Sequence, residues 1–251
     1  MKVYFIGAGP GEPELLTIRA KRLIEEAGII VYAGSLVNRK IIDEYGRKAF
    51  KVYDSSKLNL DELKEIFLEA ARLGLDVARI HSGEPSIYGA IAEQIAILEE
   101  LGIEYEVVPG ISSFQLAAAR LGTELTVPGL SQTVVLTRVS GRTHGPSLEE
   151  LSEQIKTKPT LVLFLSISML DSIVDVLKGS YSADTPVVVA YRVGWHDERI
   201  VRGTLSDIKE RLKPLSIKKT ALIMVGDVFG KRGTQSCLYD PLFSHGYRKG
   251  R

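Results

Sequence analysis

Short apolar runs alternate with amphipathic stretches through the first half of the chain. Val3 to Ile6 is a run of β-formers stopped by Gly7-Ala8-Gly9-Pro10-Gly11, which reads as a buried strand and a turn. Leu16, Ala20, Leu23, Ile24 and Ala27 then recur at helical spacing, and Ile29 to Tyr32 is a second strand. Leu60, Leu63, Phe67 and Ala70 mark another helix, followed by a strand over 77–80 that Ser82-Gly83-Glu84-Pro85 breaks. Ile91, Ile95 and Leu98 mark a helix, 105–108 a strand broken by Pro109-Gly110, and 114–121 a helix. Such alternation predicts a mostly parallel sheet covered on both faces.

Thr123 to Gln132 contains Pro128-Gly129 and has no helical period. It reads as a linker (123–132) between a first lobe at 1–122 and a second at 133–228. Strands are predicted in the second lobe over 133–137, 160–165, 187–191, 199–201 and 221–225. Helices are predicted near 148–155, 168–177 and 205–212. The tail, 229–251, lacks a clear period and is expected to be partly mobile. The fold class is therefore α/β, as two lobes with mostly parallel or mixed sheets.

Composition narrows this picture by exclusion. The 251 residues hold 45% hydrophobic and 25% charged positions, with 32 Lys+Arg against 31 Asp+Glu and a formal net charge of +1. That balance predicts no nucleic-acid or membrane partner. Cys237 is the one cysteine, so no internal disulfide forms and one thiol cannot build a zinc site. The apolar N-terminus is interrupted too early for a spanning helix or a signal peptide, and a cytoplasmic location is expected.

In open α/β sheets, ligands lie outside the carboxyl ends of the strands. Gly7–Glu12, Ser82–Gly89 and Pro109–Ser113 are therefore candidates for one shared site. Each also has a plain reading, since Gly and Pro mark turns everywhere and Ser112 and Ser113 suit a helix start. The first loop fits only two glycines of G-x-G-x-x-G, because Glu12 takes the third place. Pro10 and Pro13 remove two N–H groups, and no acid follows the second strand, which continues as Tyr32-Ala33-Gly34-Ser35. The dinucleotide reading fails on these points, and no P-loop occurs. What remains is a donor-poor turn suited to a nucleoside-like ligand without phosphates. Glu84 is placed either to accept from a ligand hydroxyl or ammonium or to cap the helix behind it. Neither a nucleophile elbow nor a metal-ligand motif is present, so no catalytic residue is assigned.

Taken together, Gly7-Ala8-Gly9-Pro10-Gly11, Ser82-Gly83-Glu84-Pro85-x-x-Tyr88-Gly89, Val108-Pro109-Gly110-Ile111-Ser112-Ser113 and Thr137-Arg138 with Gly141-Arg142 resemble the tetrapyrrole methylase family. The resemblance runs from about Val3 to Gly226. It implies S-adenosylmethionine as cofactor, S-adenosylhomocysteine as product, a cofactor trough between the lobes and a homodimer. Tyr32-Ala33-Gly34-Ser35, Tyr191-Arg192-x-x-Trp195-x-Asp197-Glu198 and the tail from Leu238 to Arg248 resemble the members that methylate corrin precursors. The implied substrate is precorrin-4 or its cobalt form. Methylation at another carbon of precorrin-2 or precorrin-3 type and, from a different class, an NAD-dependent oxidoreductase are the alternatives. The implied cofactor residues are Pro10, Gly83 and Glu84 through their backbone, Ile87, Ser112, Ser113, Leu165, Tyr191, Val193 and Ala221. Glu84 departs from the Asp usual in the family. A corrin precursor carries many carboxylates, which the planar fork of Arg matches. Arg138, Arg142 and Arg192, with Trp195, are the substrate candidates. His144 follows Arg142 and reads as a proton carrier or as loop polarity.

Overall fold

The computed structural model describes residues 1–141 and 144–250, which form two compact units. The first comprises Met1–Leu116 and Arg192–Glu198, the second Ala117–Tyr191 and Arg199–Arg251. The division falls after Leu116, ahead of the Pro128-Gly129 turn, and the 192–198 excursion belongs with the first unit.

The first unit carries β1 (Lys2–Gly7), α1 (Ile18–Glu26), β2 (Ile29–Tyr32), α2 (Arg39–Tyr45), β3 (Lys51–Asp54), α3 (Leu60–Leu73), β4 (Val77–His81), α4 (Ala92–Glu100) and β5 (Glu104–Val108). Its strands are ordered β3-β2-β4-β1-β5 and every pairing is parallel. The central strands are buried on both faces, so they read as continuous apolar runs. Ile6, Ile30, Ala78 and Ile80 pack towards α1 and α2. Val3, Phe5, Val31 and Val77 pack towards α3 and α4. Asn59 caps α3, with Glu62 returning to its N–H in a capping box, and Gly74 closes the helix in the left-handed region. Neither β3 nor α2 stands out in the sequence. β3 is a half-exposed edge strand, Lys-Val-Tyr-Asp, and α2 buries only the adjacent Ile41 and Ile42, which sets no period.

The second unit carries β6 (Val134–Arg138), α6 (Leu148–Gln154), β7 (Thr160–Phe164), α7 (Leu170–Leu177), β8 (Pro186–Tyr191), β9 (Arg199–Thr204), α8 (Ile208–Leu212) and β10 (Ala221–Val225). The order is β6-β7-β10-β8-β9. Only β6 and β7 run parallel. β10 is antiparallel to both neighbours, and β9 is antiparallel to β8. A core from Leu151 through Val225 fills one face. The tail beyond Gly230 is largely exposed, but Arg248 gathers it by donating to the carbonyls of Leu238 at 2.9 Å and Asp240 at 2.6 Å.

Candidate functional site

Because β4, β1 and β5 are adjacent and parallel, the loops after them emerge side by side. Gly7 lies level with His81 and Ile6 with Val108. Their contact is backbone on backbone. A Cβ on Gly110 would stand 2.2 Å from the Gly83 carbonyl oxygen and 2.8 Å from the Gly7 Cα. One on Gly7 would stand 2.6 Å from the Gly110 Cα. No side chain fits between these three glycines.

Hydrogen bonds then lock the loops. Gly83 N–H donates to the Gly9 carbonyl at 2.8 Å, Gly9 N–H to the Gly83 carbonyl at 3.3 Å, and Ala8 N–H to the His81 carbonyl at 2.8 Å. The amides of Ala8 and Gly9 are thus already engaged, and Pro10 has none. A phosphate cradle requires free N–H groups, and this turn does not offer them at those positions.

Glu84 staples the second loop to the third. One carboxylate oxygen accepts from Ser86 N–H at 2.9 Å and the other from Gly110 N–H at 2.8 Å. Burial pushes its carboxyl up, but the hydrogen bonds from Ser86 and Gly110 outweigh this and hold it below the usual carboxylate value. The helix that follows has no side-chain cap, so the carboxylate does not take the capping role; it joins the second loop to the third instead. Ser112 is buried, and its N–H donates to the Gln115 side chain at 2.8 Å. Ser113 opens α5 (Ser113–Leu121). Ile87 is half-buried, with its N–H on the Glu84 carbonyl at 3.1 Å.

The 192–198 excursion packs against the first loop. Gly11 lies so close to Trp195 that a Cβ there would meet the indole Nε1 at 2.5 Å, and one on Gly194 would meet the Pro10 carbonyl carbon at 3.3 Å. The Arg192 guanidinium sits 4.3 Å from the Trp195 ring centroid, and its Nε lies 2.8 Å from Asp197. Trp195 therefore packs on the Gly11 turn, and Arg192 already has an aromatic face and an acid. Val193 is buried.

Beneath the second loop lies a polar group that the sequence pattern does not reveal. His81 is 4% exposed, and burial next to the Arg79 charge pushes its pKa down to about 3. Arg79 is 6% exposed, and burial pushes its pKa down to about 10. Neither position breaks the apolar appearance of β4 enough to be noticed, because a strand reading weighs the run and not its exceptions.

In the second unit, topology gathers four of the expected residues at one end of the sheet. Arg138 ends β6, Leu165 follows β7, Tyr191 ends β8 and Ala221 opens the antiparallel β10, where it pairs with Tyr191. Leu165 is 58% exposed at φ +53°. Tyr88 at φ +55°, Ala90 at φ +50° and Arg192 at φ +46° share this left-handed backbone. Bulky residues rarely adopt it, and such strain concentrates at ligand-binding segments. Arg142 lies outside the described residues. Among the described residues, no cluster of metal-ligating side chains occurs and no helix is long and apolar enough to cross a membrane.

Residues 2–209 match the family model for tetrapyrrole (corrin/porphyrin) methylases. The chain belongs to this family. It is 50% identical over 250 residues to the cobalt-precorrin-4 C(11)-methyltransferase of Methanocaldococcus jannaschii, covering 99% of this chain and 96% of that one. It is 46% identical to the precorrin-4 C(11)-methyltransferase of Pseudomonas aeruginosa, with both chains fully covered. Among solved structures it resembles a cobalt precorrin-4 methyltransferase of cobalamin biosynthesis at TM-score 0.87 and 40% identity, covering 92% of this chain and 96% of that one. A uroporphyrin-III C-methyltransferase from Thermus thermophilus, complexed with S-adenosylhomocysteine, is similar at TM-score 0.72 and 28% identity, with 92% and 94% covered.

Proposed function

We propose that this chain is an S-adenosylmethionine-dependent methyltransferase that acts on carbon 11 of precorrin-4 or cobalt-precorrin-4 in cobalamin biosynthesis. The observation that carries the reading is likeness along the whole chain, at 46–50% identity, to enzymes with that activity. The site chemistry supports it. The first turn has its Ala8 and Gly9 amides engaged and a proline next, which suits a nucleoside ligand without phosphates.

In the first unit, the cofactor is assigned to Pro10, the backbone of Gly83 and Glu84, Ile87, Ser112, Ser113 and Val193. In the second it is assigned to Leu165, Tyr191 and Ala221. The cofactor supplies an activated methyl group when bound. The residues of the chain supply position and exclusion of water, and holding two reactants in line contributes about 7–11 kcal/mol toward a barrier. No nucleophile is needed from the protein. Arg138 and Arg142 are assigned to substrate carboxylates. Arg192 and Trp195 complete the set, with the Asp197 ion pair competing for the Arg192 guanidinium. The reading includes a cytoplasmic homodimer.

The test is methylation of cobalt-precorrin-4 and of precorrin-4 with a carbon-13 methyl donor. The label is expected at carbon 11. Label at another ring carbon would replace the reading with the precorrin-2 or precorrin-3 type of activity.

A further inference from the structure

Arg79 is a buried cation. Among the described residues its hydrogen bonds go to neutral groups. Its Nε donates to Gln94 Oε1 at 2.8 Å, and its Nη1 reaches the carbonyls of Ile80 at 3.4 Å and Val31 at 3.5 Å. Gln94 is 3% exposed, and its amide nitrogen donates to the Ala90 carbonyl at 2.7 Å. His81, two residues along the same strand face, makes a backbone hydrogen bond at Gly89. Both links therefore end in Tyr88–Ala90, where Tyr88 and Ala90 flank Gly89 in left-handed backbone. A Cβ on Gly89 would stand 2.0 Å from the Pro85 carbonyl oxygen, so the chain turns here with no room to spare.

The donor inventory explains why a cation stands there. A glutamine amide offers an acceptor at one end and a donor at the other, and its two orientations are nearly equivalent in shape. Arg carries donors only. Facing Arg79, Gln94 must turn its oxygen inward, which leaves its N–H₂ for Ala90. With an apolar neighbour the amide is free to flip and oppose its oxygen to the Ala90 carbonyl.

We infer that Arg79 and Gln94 are positioning residues: Arg79 orients the Gln94 amide, Gln94 fixes Tyr88–Ala90, and the fixed loop sets the affinity of the Gly83–Ile87 segment for the nucleoside cofactor. The inference rests on the proposed cofactor reading. It differs from a stabilising role, because burying an unpaired cation is costly and an apolar residue of similar length removes that cost.

The test uses the full chain with Arg79→Met and Gln94→Met. If the loop is then ordered for only about a tenth of the time, apparent affinity falls about tenfold. Both variants are expected to raise the Kd for S-adenosylhomocysteine and the KM for S-adenosylmethionine by about that factor. The kcat at saturating cofactor is expected to stay within about twofold, with Tm within about 3 °C. Amide exchange over 86–91 is expected to rise while that of β1 and β2 does not change. An unchanged Kd in both variants, or a Kd that worsens only in step with Tm, would overturn the inference. A wild-type chain without affinity for S-adenosylhomocysteine overturns the cofactor reading instead. In that case the exchange rates decide alone, and unchanged exchange at Gly89 and Ala90 in Gln94→Met ends the positioning claim.

Discussion

Glu84 reaches the N–H groups of Ser86 and Gly110 at once. The sequence showed an acid in a candidate loop but not what its oxygens would meet, since the partner at Gly110 is 26 residues away. His81 was equally illegible, being one polar residue at the end of an apolar run. Its burial has a measurable consequence. The unfolded side chain titrates near about 6.5, whereas the folded one is held down to about 3. Between these values the unfolded chain binds one more proton than the native chain, so stability falls as pH falls, by about 1.4 kcal/mol per unit. Urea unfolding at about pH 7.5 and about pH 5.5 should therefore cost the native chain about 1.4 kcal/mol more than His81→Gln, because only the unit below about 6.5 counts. Equal losses would mean that His81 is not held neutral. Glu84 acts in a separate window. Its carboxylate contribution is complete above the ordinary value near about 4.3 and disappears as pH drops through its lower folded value.

At the scale of elements, burial makes the clearest strands legible, although the part-exposed β5, β6 and β9 were legible too. β1, β2, β4, β7, β8 and β10 are runs whose side chains are almost all buried, and the apolar pattern reports them directly. β3 and α2 are half-exposed and leave no such trace. The three candidate loops were legible as a group because Gly and Pro punctuate strand ends. Why they carry glycine becomes visible only in the packing of Gly7 and Gly110 and in the left-handed φ of +63° at Gly83. Gly110→Ala forces a methyl to 2.2 Å from the Gly83 carbonyl, and overpacking of this kind costs about 1–3 kcal/mol. It should also remove affinity for S-adenosylhomocysteine, since two loops move together. Gly141 has open space where its Cβ would be and an ordinary φ, so Gly141→Ala serves as the control, with an effect within about 0.5 kcal/mol. If calorimetry and thermal melts find Gly110→Ala as benign as the control, the loops are not locked by backbone contact.

At the scale of the molecule, the first unit has an all-parallel sheet and the second a mixed one, and every strand of the two but β3 was located in the sequence. The parallel pairing of the first unit was legible from its strand–helix alternation, whereas the antiparallel pairings of the second unit and the return of 192–198 to the first were not. They depend on which strands become neighbours, and β10 enters between β7 and β8 from far along the chain. The family is fixed by the match over residues 2–209, and the cofactor class is the claim on which the rest of the functional account stands. Calorimetric titration of the chain with S-adenosylhomocysteine, with NAD as the control ligand, tests it most directly. The account predicts binding on the order of micromolar Kd for the first and no heat for the second. Binding of NAD with none of S-adenosylhomocysteine would contradict it and return the Gly7–Glu12 turn to a dinucleotide.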